Sequence, residues 1–241
     1  MKLGVNVDHT ATLRQARGTS YPDPAVAALL AEYSGCNSIV VHVREDRRHI
    51  KERDAVLIKQ LIKIPLNLEM SINKSIVEFA FRLRPVQATL VPERRRELTT
   101  EGGLDLVKGY KRISSVVEGL RRVGIKVSLF IDPLGNQVKA AKKLGVQAVE
   151  FNTGKFSLAK TSLSQDKELS KVKKAAVLAK DSGLFVAAGH GLDYENVKKV
   201  LSVKEISELN IGHSIVSRAV FVGIASAVGE MISLLGSRSR A

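Results

Sequence analysis

Eight times along this sequence a short apolar, β-branched run is followed by a longer stretch of helical periodicity. No other feature constrains the fold as strongly. The strand candidates are residues 3–9, 38–44, 65–71, 87–93, 126–132, 148–154, 185–191 and 207–214. Between them, helices are expected to begin near Pro24, Glu52, Lys74, Gly103, Leu134, Asp166, Tyr194 and Ile215. Spread over 241 residues, the spacing is about 30 residues per unit, the size of a βα repeat. Gly35, Gly124, Gly145 and Gly183 each fall just before a strand, where a helix C-terminus favours glycine. With no break in composition, the pattern predicts one (β/α)8 TIM barrel spanning 1–241, with an open doubly wound sheet as the runner-up.

A barrel of this kind places its chemistry at the C-terminal ends of the strands and in the loops that follow. The polar residues of this chain fall there. Strand 1 ends in Asn6, Asp8 and His9; strand 2 ends in His42 and Arg44, with His49 just beyond. Strand 3 carries Asn67 and Glu69 on one face, strand 4 ends at Glu93, and strand 6 holds Glu150 and Asn152. Strand 7 ends Gly189-His190-Gly191 and strand 8 ends Asn210, Gly212 and His213. All five histidines thus lie at or just past strand ends, and none is expected on a helix. Glu69 and Glu150 occupy strand positions that would ordinarily be apolar, so each is either paired with a cation or working with a raised pKa. Together these residues predict a single catalytic mouth for acid–base work on an anionic substrate.

Two stretches suit phosphate. Gly189–Leu192 should lead into the helix near Tyr194, and Gly212-His213-Ser214 into the last helix, so that backbone N–H groups and a helix dipole meet the anion. Arg17, in a long first loop, could form a second anion site with Arg44 and His49. The polar segment 99–103 could be either a lid or a plain connector. Thr153-Gly154-Lys155 lacks the spacing of a P-loop.

Charge and cysteine content narrow the function classes. Thirty-eight basic residues stand against 24 acidic ones, a net +14. Most of the basic residues are spread over helical segments as solvated faces; only 94–96 and the 237–241 tail are dense. No zinc-finger spacing or RNA-binding aromatic motif accompanies them, which argues against nucleic acid as the main partner. The lone Cys36 can form no internal disulfide and lacks neighbours for a zinc site, which predicts a packed thiol in a reducing cytoplasm. No run of 18 apolar residues and no leader pattern is found, which argues against a membrane or secreted protein.

The residues above, with their neighbours, resemble the pyridoxine 5′-phosphate synthase family of the deoxyxylulose-dependent vitamin B6 route. The matching strings are GVNVDH (4–9), ATLRQARG (11–18), YPDP (21–24), HVREDRRH (42–49), NLEM (67–70), LVPE (90–93), TTEGGLD (99–105), VSLFID (127–132), AGHGL (188–192) and LNIGH (209–213). The sequence departs at Asn152, where many relatives carry His. The resemblance implies condensation of 1-deoxy-D-xylulose 5-phosphate with 3-amino-2-oxopropyl phosphate to pyridoxine 5′-phosphate, phosphate and water, without a cofactor. It implies His42 and Glu69 as general bases, His190 as general acid and Glu150 as transition-state stabiliser. Asn6, Asp8, His9, Arg17, Arg44, His49, Thr99, Gly191, Gly212 and His213 would bind the substrates and their phosphates. It also implies a homo-octamer, with Arg17 reaching into a neighbouring subunit's site. The competing readings are a Schiff-base aldolase on Lys155 and a basic nucleic-acid-binding protein.

Overall fold

All eight expected strands form, in the expected order, in a computed structural model that describes residues 1–93 and 102–236. They are β1 (Lys2–Asn6), β2 (Ser38–His42), β3 (Leu66–Met70), β4 (Gln87–Leu90), β5 (Lys126–Ile131), β6 (Ala148–Asn152), β7 (Phe185–Gly189) and β8 (Glu208–Ile211). Every pairing is parallel, and β8 closes on β1 with Lys2 opposite Glu208 and Gly4 opposite Asn210. That closure settles the choice against an open sheet. Most strands stop one or two residues short of the expected ends, because the polar residues there leave the ladder for the loops.

Alternation along each strand divides the side chains into two sets. One set, including Leu3, Val5, Ile39, Val41, Leu68, Met70, Leu129, Val149, Phe151, Val186 and Leu209, is almost wholly buried and packs outward against the helices. The other set points into the barrel and is unusually polar. The register His42–Glu69–Thr89–Ser128 runs across β2 to β5, and Phe130–Glu150–Ala187–Glu208 across β5 to β8. The apolar core therefore lies between sheet and helices, and the barrel interior is left for charged and hydrogen-bonding groups.

The helices are α1 (Asp8–Arg17), α2 (Pro24–Tyr33), α3 (Glu52–Leu61), α4 (Lys74–Leu83), α5 (Tyr110–Arg122), α6 (Gly135–Leu144), α7 (Gly154–Ser157), α8 (Ser162–Asp181), α9 (Val197–Val200), α10 (His213–Val222) and α11 (Ile224–Gly236). The four glycines expected at helix ends all have positive φ. Several helix starts differ from expectation for local reasons. The segment expected to be a long first loop is the ten-residue α1. Helix α5 begins at Tyr110 rather than near Gly103, since Asp105 Oδ1 accepts from the N–H groups of Val107 and Lys108 and holds a turn. Helix α8 begins at Ser162, capped by the reciprocal pair Thr161 and Ser164. The helix expected near Tyr194 is reduced to the four residues of α9, because Asp193 Oδ1 captures the N–H groups of Glu195 and Asn196. Gly223, with φ of 81°, splits the terminal helix into α10 and α11. None of the described helices is long and apolar enough to cross a membrane.

Candidate active site

The C-terminal end of the barrel gathers the acid–base groups. Strand β1 delivers Asn6 and, one residue past Val7, the buried Asp8. Asp8 Oδ1 accepts the backbone N–H of His42 at 2.9 Å and Oδ2 accepts from Asn6 Nδ2 at 2.9 Å. Asn6 Oδ1 in turn accepts the Asp8 N–H at 2.8 Å. Two adjacent strand ends are thereby locked together. The His42 ring is buried, with Nδ1 3.9 Å from Glu69 Oε2 and Nε2 2.9 Å from Glu93 Oε1. Burial, reinforced by the charges of Glu150 and Asp8, pushes the Glu69 carboxyl well above the usual carboxylate range.

Glu150, opposite Ala187 on β7, is buried inside the barrel. Its Oε2 accepts from Asn210 Nδ2 at 2.7 Å, across the intervening strand. Gly189 makes that contact possible: a Cβ there would come within 2.4 Å of Glu150 Oε1. Burial raises the Glu150 pKa to about 7, the Asn210 hydrogen bond acting against it and Glu208 adding to it. Glu69 and Glu150 are thus two carboxyls in one barrel whose proton affinity burial has raised, Glu150 to about 7.

On the far side of the mouth, His190 and Gly191 both take positive φ, 81° and 74°. For a histidine this backbone conformation costs about 1–3 kcal/mol and persists only where its surroundings enforce it. The Thr153 hydroxyl lies 2.7 Å from the carbonyl oxygens of both Gly189 and His190, and the Thr153 N–H donates to Gly189 O at 2.9 Å. Those contacts turn the imidazole inward, edge-on to Phe130 at 6.4 Å, and burial lowers its pKa. Beside it, α10 opens at Gly212, and the rings of His213 and His9 approach to 4.9 Å. The N-termini of two ten-residue helices, α1 and α10, therefore converge on one side of the mouth, a favourable place for an anion. Burial lowers the pKa of His9, as it does for His49, whose Nδ1 accepts the Ile50 N–H at 2.8 Å.

The structure brings Asn6, Asp8, His9, His42, Arg44, His49, Glu69, Glu150, His190, Gly191, Gly212 and His213 to this end of the barrel, and corrects two expectations. His9 and His213 stand in the first turns of α1 and α10 rather than off helices. The loop after β7 runs into no substantial helix, so the dipole expected there comes from α10 instead. Arg17 is exposed in the last turn of α1, while Arg14, one turn earlier, points inward and forms a buried bidentate pair with Asp54 at 2.8 and 2.7 Å. Thr99 and most of the 99–103 segment lie outside the described residues, as do 94–96 and the 237–241 tail.

Sequence reasoning missed the partners. In the sequence Glu93 is marked only by its place at a strand end, and its contact with His42 reaches from the end of β4 across β3 to β2. Asn210 and Asp132 likewise act on residues far off in sequence, Asp132 Oδ1 accepting from Asn152 Nδ2 at 3.1 Å. Lys155 is 70% exposed and 3.9 Å from Asp132. A Schiff-base lysine needs a desolvated, neutral amine, so this environment is unsuited to the aldolase reading. Cys36 is buried, and burial pushes its thiol up to about 12, as suits an inert packed residue. Among the described residues, Asp8, His42 and Glu69 are the one group whose polar atoms, all within 4.8 Å of one another, are spaced for a metal ion. Both Asp8 oxygens are already taken by N–H donors.

A closed (β/α)8 barrel with clustered acid–base groups at its C-terminal mouth defines an enzyme of the TIM-barrel class. Among solved structures, the fold is similar to phosphoribosyl anthranilate isomerase from Thermus thermophilus, at 14% identity and TM-score 0.61, covering 99% of this chain and 100% of that one. It is also similar to the isomerase from Thermotoga maritima, at 11% identity and TM-score 0.61, covering 98% of each chain. At such identities the likeness speaks for the barrel alone. The family described as "Pyridoxal phosphate biosynthesis protein PdxJ" matches residues 3–237. The chain belongs to the PdxJ family, the pyridoxine 5′-phosphate synthases that form the pyridine ring in vitamin B6 biosynthesis.

Proposed function

We propose that this enzyme condenses 1-deoxy-D-xylulose 5-phosphate with 3-amino-2-oxopropyl phosphate, releasing pyridoxine 5′-phosphate, inorganic phosphate and water by general acid–base catalysis. The observation that carries the reading is the inward cluster His42, Glu69 and Glu150, whose two carboxyls burial has raised, Glu150 to about 7. Ring formation requires an amine to add to a ketone, protons to leave carbon, and phosphate and water to depart. The substrate's own amine is the nucleophile. His42 and Glu69 act as bases, and Glu150, ionised above about pH 7, stabilises positive charge in the transition state. His190, neutral in the free enzyme because it is buried, becomes the acid once a phosphate dianion lies beside it at Gly191.

In this reading the N-termini of α1 and α10, with Asn6, His9, Gly212 and His213, hold one phosphate. Asp8, Arg44 and His49 hold the other substrate, and Arg17 completes a neighbouring site in a cytoplasmic homo-octamer. The test is purified protein with both substrates, following pyridoxine 5′-phosphate by absorbance and phosphate release in parallel. Equal amounts of both products, lost when either substrate is omitted, are expected. Phosphate release without the pyridine would show the second substrate to be wrong. Light scattering on the same preparation tests the octamer.

A further inference from the structure

We propose that Glu93 is a positioning residue for this reaction: its carboxylate accepts a hydrogen bond from His42 Nε2–H, holding the ring proton there and leaving Nδ1 as the bare nitrogen facing Glu69. The inference rests on the reading of His42 as a general base.

Three observations support it. Glu93 Oε1 lies 2.9 Å from His42 Nε2, and the two side chains are only 4% and 7% exposed, so water offers neither an alternative partner. The second oxygen, Oε2, accepts the backbone N–H of Glu45 at 2.9 Å. One oxygen therefore accepts a fixed N–H donor while the other faces a ring nitrogen, and an ionised, acceptor-only carboxylate is satisfied at both only if that nitrogen carries the proton. Burial alone would raise this carboxyl, but the bonds from His42 and Glu45 outweigh it and hold Glu93 below the usual range.

A neutral imidazole carries one proton. If Glu93 claims it at Nε2, Nδ1 keeps its lone pair, and Nδ1 is the nitrogen directed at Glu69, 3.9 Å away. The opposite tautomer would set a bare Nε2 against a carboxylate in a dry site, lone pair against lone pair. Glu93 thus does for His42 what a buried carboxylate does for a catalytic histidine in other acid–base sites: it sets the tautomer, fixes the ring plane and stabilises the imidazolium that forms on proton abstraction. The Glu45 N–H anchors the carboxylate to the chain three residues beyond the histidine itself, so one side chain from the end of β4 clamps both the ring and the loop after β2.

The test is long-range ¹H–¹⁵N correlation spectroscopy on the full chain with ¹⁵N-labelled histidine, His42 being assigned by its loss in His42→Asn. The wild-type ring is expected to be protonated at Nε2 and bare at Nδ1; a proton on Nδ1 would overturn the proposal without any need for a variant at Glu93. In Glu93→Gln the Glu45 N–H claims the amide oxygen, which turns the NH2 towards Nε2 and drives the ring proton to Nδ1. That inversion should lower kcat by about 10²- to 10⁴-fold with KM for either substrate within about threefold, the range for a mispositioned general base. Unchanged kcat in Glu93→Gln alongside an inactive His42→Asn would overturn the role of Glu93 alone. Full activity in His42→Asn would overturn the assignment of His42 as base, and the inference with it.

Discussion

At the level of single residues, the proposed chemistry rests on two carboxyls whose proton affinity burial has raised. Glu69 and Glu150 could be singled out in the sequence because a charge inside an apolar strand demands a reason. Substituting Glu69→Gln or His190→Asn should leave the fold intact, as judged by circular dichroism, and lower kcat by about 10²- to 10⁴-fold, the usual contribution of a positioned acid or base. A nearly silent substitution would remove that residue from the mechanism. Glu150 makes a further prediction about stability. Its carboxyl titrates near 4.5 in an unfolded chain and near 7 in the native barrel, so the native state binds its proton more tightly. The resulting stabilisation is present below about pH 4.5 and is lost as pH rises through about 7. Glu150→Gln removes this titration while keeping an acceptor for Asn210. Its melting temperature should therefore match wild type near pH 4.5 and rise above it by about pH 8, while turnover falls. Parallel melting curves across that window would show that Glu150 titrates as an ordinary carboxyl. Glu93 escaped the sequence reading because an acid at a strand end is unremarkable until the histidine it faces is known.

At the level of elements, α1 is the piece the sequence left unread. Its exposed Leu13 and weak apolar periodicity gave no helical stripe, yet it carries Asp8 and His9 and so builds the mouth. What docks it is the buried pair between Arg14 and Asp54 of α3, whose side chains are 8% and 5% exposed. Asp54 Oδ2 also accepts the Lys51 N–H at 2.9 Å, so the pair is tied to the start of α3. Removing one partner of such a pair leaves an uncompensated buried charge. Arg14→Leu should cost about 3–5 kcal/mol in denaturant unfolding, and Arg14→Leu with Asp54→Leu should recover a large share of it. Loosening α1 should also raise KM, since Asp8 and His9 move with it. Equal costs for the single and double variants would mean that the pair is not what holds the helix. Helices that form where the sequence places them, such as α2, α4 and α6, carry clear start or stop signals: Pro24 after Asp23, Asn73, and Gly145.

For the whole molecule, the net charge of +14 is the property that no single element explains. Two phosphorylated substrates would be drawn to such a surface, and attraction of this kind is screened over about 10 Å at 0.1 M salt. Raising ionic strength from about 20 to 200 mM with an inert salt should lower kcat/KM several-fold while kcat at saturation stays nearly constant. A kcat/KM insensitive to salt would mean that the charge has no part in substrate capture.

The number of strands and their places along the chain were determined by the sequence, because apolar alternation and glycine stops act within a few residues of one another, whereas closure into a barrel was decided only by the tertiary structure. Residues such as His42, Glu69, Glu150 and His190 could be named as candidates for the same reason: their chemistry is out of place in a strand or crowded at its end. Which partner each one meets was decided only by the tertiary structure. Glu93 reaches His42 across β3, Asn210 reaches Glu150 over the bare Gly189, and Arg14 finds Asp54 forty residues away. The first two contacts exist because a closed, curved barrel brings non-neighbouring strand ends within hydrogen-bond distance, the third because it also sets α1 against α3, and burial then sets the proton affinities of the groups at the mouth.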